Sequence, residues 1–167
     1  MRYGSLGQGS SATASDEPRA PGGATAAGVK EIPYDYVATF KLTGGRGARV
    51  QDVITISTEG TFVAVSVGYS FVPSPAAITA PGGVPGIQFL YTIVDSGSGR
   101  ELQNKAVHNI AGLGSADGHR PFRPFARPVQ FVPRSTIRIE IEEVADEPLF
   151  KDGTLFLVLH GYKRLGE

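Results

Sequence analysis

The side chains best suited to proton transfer or metal binding are His108, His119 and His160, and they stand far apart in the chain. None falls within the ligand spacing of a zinc site. A hydrolytic triad needs Ser, His and Asp brought together, yet no Gly-x-Ser-x-Gly elbow occurs and the serines gather in the N-terminal stretch and in turns. Asp95-Ser-Gly-Ser-Gly-Arg-Glu101 has the oxygen ligands of a calcium loop at the wrong intervals and reads as a hairpin turn. Gly97-Ser-Gly99 lacks the third glycine of a dinucleotide loop. Glu140, Glu142, Glu143, Asp146 and Glu147 are the carboxylates a glycosidase would use, but the first three fit the solvated face and end of one strand. No catalytic residue, cofactor or metal is expected.

One stretch concentrates chemistry of another kind. Gly118 to Pro133 sets Pro121, Pro124, Pro128 and Pro133 among Phe122, Phe125 and Phe131, and from His119 to Arg134 it carries His119, Arg120, Arg123, Arg127 and Arg134. Arginines interleaved with aromatics suit phosphates and unstacked bases. The whole chain, however, balances 16 Lys+Arg against 16 Asp+Glu and offers no long-range field for nucleic acid or an anionic membrane. The prolines instead force an extended path, a strap that crosses the domain and offers its arginines to carboxylates of a neighbouring protein.

The 167 residues suit one folded domain, and cysteine is absent. Residues 1–32 are mostly Gly, Ala, Ser, Thr and Pro and read as a flexible arm, with 33–167 as the domain. As a random coil about 30 residues span roughly 30 Å, enough to reach a neighbouring subunit. The opening residues lack the apolar run of a signal peptide, and no stretch approaches the ~18 apolar residues of a membrane span, so a soluble chain without membrane contact is expected.

From Tyr34 onward the pattern alternates with period two. Tyr36, Ala38, Phe40 and Leu42 share a face, then Val50, Ile54 and Ile56, and between Thr61 and Val72 the bulky Val63, Val65, Val67, Tyr69 and Phe71 oppose the small Ala64, Ser66, Gly68 and Ser70. A Pro/Gly-rich loop covers Pro73 to Gly86. Ile87 to Val94, the short Arg100–Asn104, Val129 to Val132, Thr136 to Val144 and Thr154 to Tyr162 complete the strands, while Lys105 to Gly118 reads as loop. The last strand is apolar on both faces, which predicts that both are covered and makes His160 and Tyr162 candidates for an interface. The fold expected is all-β: an antiparallel sandwich, jelly-roll-like, of seven to eight strands, with an immunoglobulin-like sandwich as the second topology.

Four segments, Ile56–Phe71, Asp95–Asn104, Arg127–Ile141 and Gly153–Lys163, resemble small structural proteins of tailed bacteriophage particles. The resemblance implies a non-enzymatic virion β-sandwich that decorates or cements a capsid or sits at the head–tail junction. It further implies contacts with the major capsid protein or other virion proteins, self-association, and a place in the virion after assembly in the host cytoplasm. It brings no catalytic residues. The interface candidates are Arg120, Phe122, Arg123, Phe125, Arg127, His160 and Tyr162. A carbohydrate-binding module stacking sugars on Tyr69, Tyr91 or the loop aromatics is the reading from another class, and a hydrolase with carboxylates at strand ends is a third.

Overall fold

The computed structural model describes residues 28–74, 87–114, 122–144 and 152–166. The predicted arm up to residue 27, most of the Pro/Gly-rich loop, Gly118 to Pro121 with His119 and Arg120, and the acidic pair Asp146 and Glu147 lie outside them. Within them are β1 (Lys30–Leu42), β2 (Arg49–Thr55), β3 (Gly60–Pro73), β4 (Phe89–Asp95), β5 (Arg100–Glu101), β6 (Val107–His108), the helical turn α1 (Asn109–Gly112), β7 (Phe122–Phe131), β8 (Thr136–Glu143) and β9 (Gly153–Leu165). Lys30, Glu31 and Ile32 of β1 precede the boundary expected for the domain.

All pairings are antiparallel, and the strands form two sheets, β1-β9-β3-β7 and β2-β8-β4-β5 with β6 also on β4. The chain crosses from one sheet to the other at almost every connection, from β1 to β2 to β3 to β4 and again from β7 to β8 to β9. That order is a jelly roll. The additional strand over the sequence-based count is the two-residue β6, and β7 is longer than the Val129–Val132 stretch predicted for it.

The inward residues are those that alternation picks out: Ala38, Phe40 and Leu42 of β1, Phe89, Tyr91 and Ile93 of β4, Ile137, Ile139 and Ile141 of β8, and Leu155, Leu157 and Leu159 of β9. Removing each of the Leu, Ile and Phe side chains among them from water contributes about 1.5–3 kcal/mol. β3 departs from simple alternation. Its register slips by one residue against β9, because Ala64 pairs with Gly161 and Ser66 with His160, which leaves Val65 without a partner. This bulge flips the phase, so Phe62 and Ala64 before it and Val67 and Phe71 after it all reach the core. Val65 is exposed, and Val63 is buried outside the core cluster. The single bulky face predicted for Val63 through Phe71 is therefore corrected. The β3 backbone comes so close to β9 here that a Cβ on Gly161 would lie 2.0 Å from the Val63 carbonyl oxygen.

The segment read as loop after Lys105 contains α1, held by a buried polar hub. Asn109 accepts from the Phe89 N–H, donates to the Ile87 carbonyl at 2.9 Å and donates to the Tyr69 hydroxyl at 3.0 Å. His108 caps the turn, its Nδ1 accepting from the Ile110 N–H.

Candidate functional site

The strap becomes edge strand β7, and the edge is irregular. Between the pairs Ala64–Val129 and Ser66–Pro124, β3 contributes Val65 alone while β7 contributes Phe125, Ala126, Arg127 and Pro128. Of these unpaired residues, Phe125, Ala126 and Arg127 line the gap toward the second sheet. Pro124 and Pro128 have no N–H to offer, so this edge is a poor template for another strand, and a partner must be met mainly by side chains.

Register divides the interface candidates between two surfaces. Phe122 pairs with Gly68, and Gly68 pairs with Val158, which places Phe122 on the outer face of the β1-β9-β3-β7 sheet. His160 and Tyr162 of β9 share that face. Glycine at position 68 lets the Phe122 ring lean across β3 to meet His160 edge-on, with ring centres 6.1 Å apart. On its other side His160 Nδ1 lies 3.2 Å from Asp35 Oδ1 of β1. One contiguous row therefore links three strands, with exposed Val37 beside it. The outer side of β9 is half-buried rather than covered as alternation implied, since Phe156, Val158, His160 and Tyr162 are all of intermediate exposure.

Arg123, Phe125 and Arg127 take the opposite direction, into the gap between the sheets. Arg123 pairs with Val67, a core residue, and its guanidinium donates to the carbonyls of Ala111 and Gly112 at the C-terminal end of α1. A cation there satisfies carbonyls that a helix end leaves without partners. Phe125 packs half-buried against the core. Arg127 stays exposed and pairs with none of the described residues.

The remaining sequence candidates fall into structural roles. Glu140 and Glu142 are on the solvated side of β8, the first 3.2 Å from Arg138 and the second 2.8 Å from Arg49. Glu143, grouped with them from sequence, is buried instead. Its Oε1 accepts from the Thr43 N–H at 2.9 Å, its carbonyl accepts from the Gly47 N–H and its N–H donates to the Ala48 carbonyl, fastening the β1–β2 loop. The hairpin reading of Asp95 is realised by its carboxylate accepting from the Gly97 N–H at 3.0 Å and from the Ser98 hydroxyl. Tyr69 and Tyr91 do not serve as open stacking platforms. Tyr69 lies edge-on to Phe89, and Tyr91 is buried, which pushes its pKa above the usual 10.0 by desolvation despite opposing effects of nearby Arg123 and a hydrogen bond with Gln103.

Sequence reasoning passed over Lys163. It is buried at the end of β9, its ammonium 3.7 Å from the centre of the Tyr34 ring and 3.4 Å from Glu59. Its inward phase after Leu155, Leu157 and Leu159 was the available signal. Among the described residues no group of three His, Cys, Asp or Glu side chains could hold a metal ion, and no helix is long and apolar enough to cross a membrane.

No protein-family model and no curated protein matches the chain. Solved structures similar to it include a protein of Sulfurospirillum deleyianum, with 9% identity, 77% of this chain and 98% of that one covered, and a TM-score of 0.39. The acidic stable capsid structure of Helicobacter pylori bacteriophage KHP30 is similar at 12% identity over 83% of this chain and 99% of that one, TM-score 0.38. The VP2 subviral particle of infectious bursal disease virus is similar at 16% identity, TM-score 0.32, and the 83% of this chain that aligns spans only 37% of VP2. At these values the likeness adds nothing to the fold given by strand order and register.

Proposed function

We propose that this chain is a non-enzymatic structural protein of a tailed-bacteriophage virion that decorates or cements the capsid through protein–protein contacts, as a homo-oligomer. The observation that carries the reading is the β7 margin. There an exposed, proline-interrupted edge sets Phe122 beside the half-exposed outer face that holds His160 and Tyr162. Large apolar side chains grouped with polar ones at one margin are what a protein contact uses. The resemblance of Ile56–Phe71, Asp95–Asn104, Arg127–Ile141 and Gly153–Lys163 to phage structural proteins supports the same reading. Jelly rolls occur in viral capsid domains but in lectins as well, so the fold alone does not select it. In a symmetric shell many weak copies of such a contact add up to firm attachment, and a small domain need not bind tightly alone.

Mass spectrometry of purified particles tests the proposal. The chain is expected among the virion proteins at a stoichiometry fixed by shell symmetry, and particles free of it would overturn the assignment.

A further inference from the structure

Between β7 and the β4–β6–α1 corner of the second sheet the sandwich stands open around a cleft of about 580 Å³. Val67, Val107 and Phe125 form apolar walls, and Tyr91 lies in its depth. Arg123 and Arg127 also line it, and among the described residues no acidic one does. This volume lies within the range of small-molecule sites, which are mostly apolar with a few convergent polar groups.

We propose that this cleft binds a small monocarboxylate with an apolar body, the body between Val67, Val107 and Phe125 and the carboxylate at Arg123 and Arg127. A guanidinium matches a carboxylate with two parallel hydrogen bonds, and two cations with no acid among the described lining residues offer a positive end to the cleft for an anion to meet. Arg123 is already oriented by the carbonyls of Ala111 and Gly112, so little ordering is required of it on binding. The Tyr91 hydroxyl stays protonated well into alkaline conditions and adds a neutral donor. An extended peptide fits less well, because Pro124 and Pro128 remove N–H groups that strand addition along this wall would use. This inference does not depend on the virion role, and particle composition and ligand titration fail separately.

The test is a ¹H–¹⁵N NMR titration of the full chain with octanoate, octylamine and the acidic pentapeptide acetyl-EVEVE-amide. Octanoate is expected to give saturable shifts at the amides of Val67, Val107 and Gly112 with a Kd on the order of 0.1–1 mM. Octylamine and the peptide are expected to bind at least about ten-fold more weakly. Arg127→Gln, at an exposed position that leaves the fold intact, is expected to weaken octanoate about ten-fold. Equal binding of octylamine would reduce the cleft to an apolar gap, and preference for the peptide would make it a protein-docking site. Either result overturns the proposal, as does the absence of shifts up to about 10 mM octanoate or full affinity in Arg127→Gln.

Discussion

Where β1 meets β2 the two sheets are joined by polar links: the Thr39 N–H donates to Asp52 Oδ2 at 2.9 Å, the Ser57 N–H to the Tyr36 hydroxyl at 2.9 Å, and Glu143 holds the intervening loop. At the opposite margin, β7 and the β5–β6 side stand apart around a cleft, with α1 held to β7 by Arg123. Both margins are sheet edges and both must deal with unpaired backbone. One does so by turning its donors onto side chains of the other sheet. The other does so by bulging and by proline, which leaves aromatic and cationic side chains outermost. Stability and contact are thus separated in this domain, so changes at the two margins should differ in kind.

The largest effect is expected where the bulge presses β3 on β9. Gly161→Ala places a methyl group 2.0 Å from the Val63 carbonyl oxygen, so the strands must part, and chemical denaturation should show a loss of about 3 kcal/mol or more. At the joined margin, Glu143→Ala leaves the Thr43 N–H without its carboxylate partner and should cost about 1–3 kcal/mol in the same assay. Lys163→Met keeps the stem but removes the charge over Tyr34, for an expected loss of roughly 1 kcal/mol. At the open margin, Phe122→Ser and Arg127→Glu should change stability by less than about 0.5 kcal/mol each, while co-sedimentation with particles falls for Phe122→Ser. If those two variants unfold the domain instead, the separation between the margins is lost.

The smallest effect is a pH dependence at the floor of the cleft. Tyr91 has its pKa raised in the fold, mainly by desolvation, so the unfolded chain releases that proton first. The stabilisation is complete below the unfolded value of about 10 and is lost as pH rises through the folded one. Urea midpoints measured from pH 8 to 11 should fall less steeply in Tyr91→Phe than in the native chain. Equal slopes would mean that Tyr91 has water beside it.

Much of the fold was legible because alternation with one buried face is a local signal. The Ile137, Ile139 and Ile141 strand and the Leu155, Leu157 and Leu159 strand lie as their spacing predicts. The bulge at Val65 was not legible, since Phe62-Val-Ala-Val-Ser-Val67 offers an apolar side chain in either phase and only the partner strand fixes which is used. Gly161 was the trace of it, a glycine inside an otherwise bulky strand. Of the candidate site, the strap's exposure followed from its prolines and arginines. The division of Phe122 from Arg123 and Arg127 did not, because it depends on pairing with Gly68 and Val67 and on the residues looped out between them. Glu143 and Lys163 continue the inward phase of their strands, but a charge at that phase reads as solvent-facing until the topology brings the sheet ends over it.

A cryo-EM reconstruction of purified particles tests the central claim most directly. This jelly roll is expected on the particle surface, with Phe122, His160 and Tyr162 turned to a capsid neighbour and the β1–β2 margin facing away. Particles without the domain, or a contact made through β1 and β2 with β7 in solvent, would contradict it.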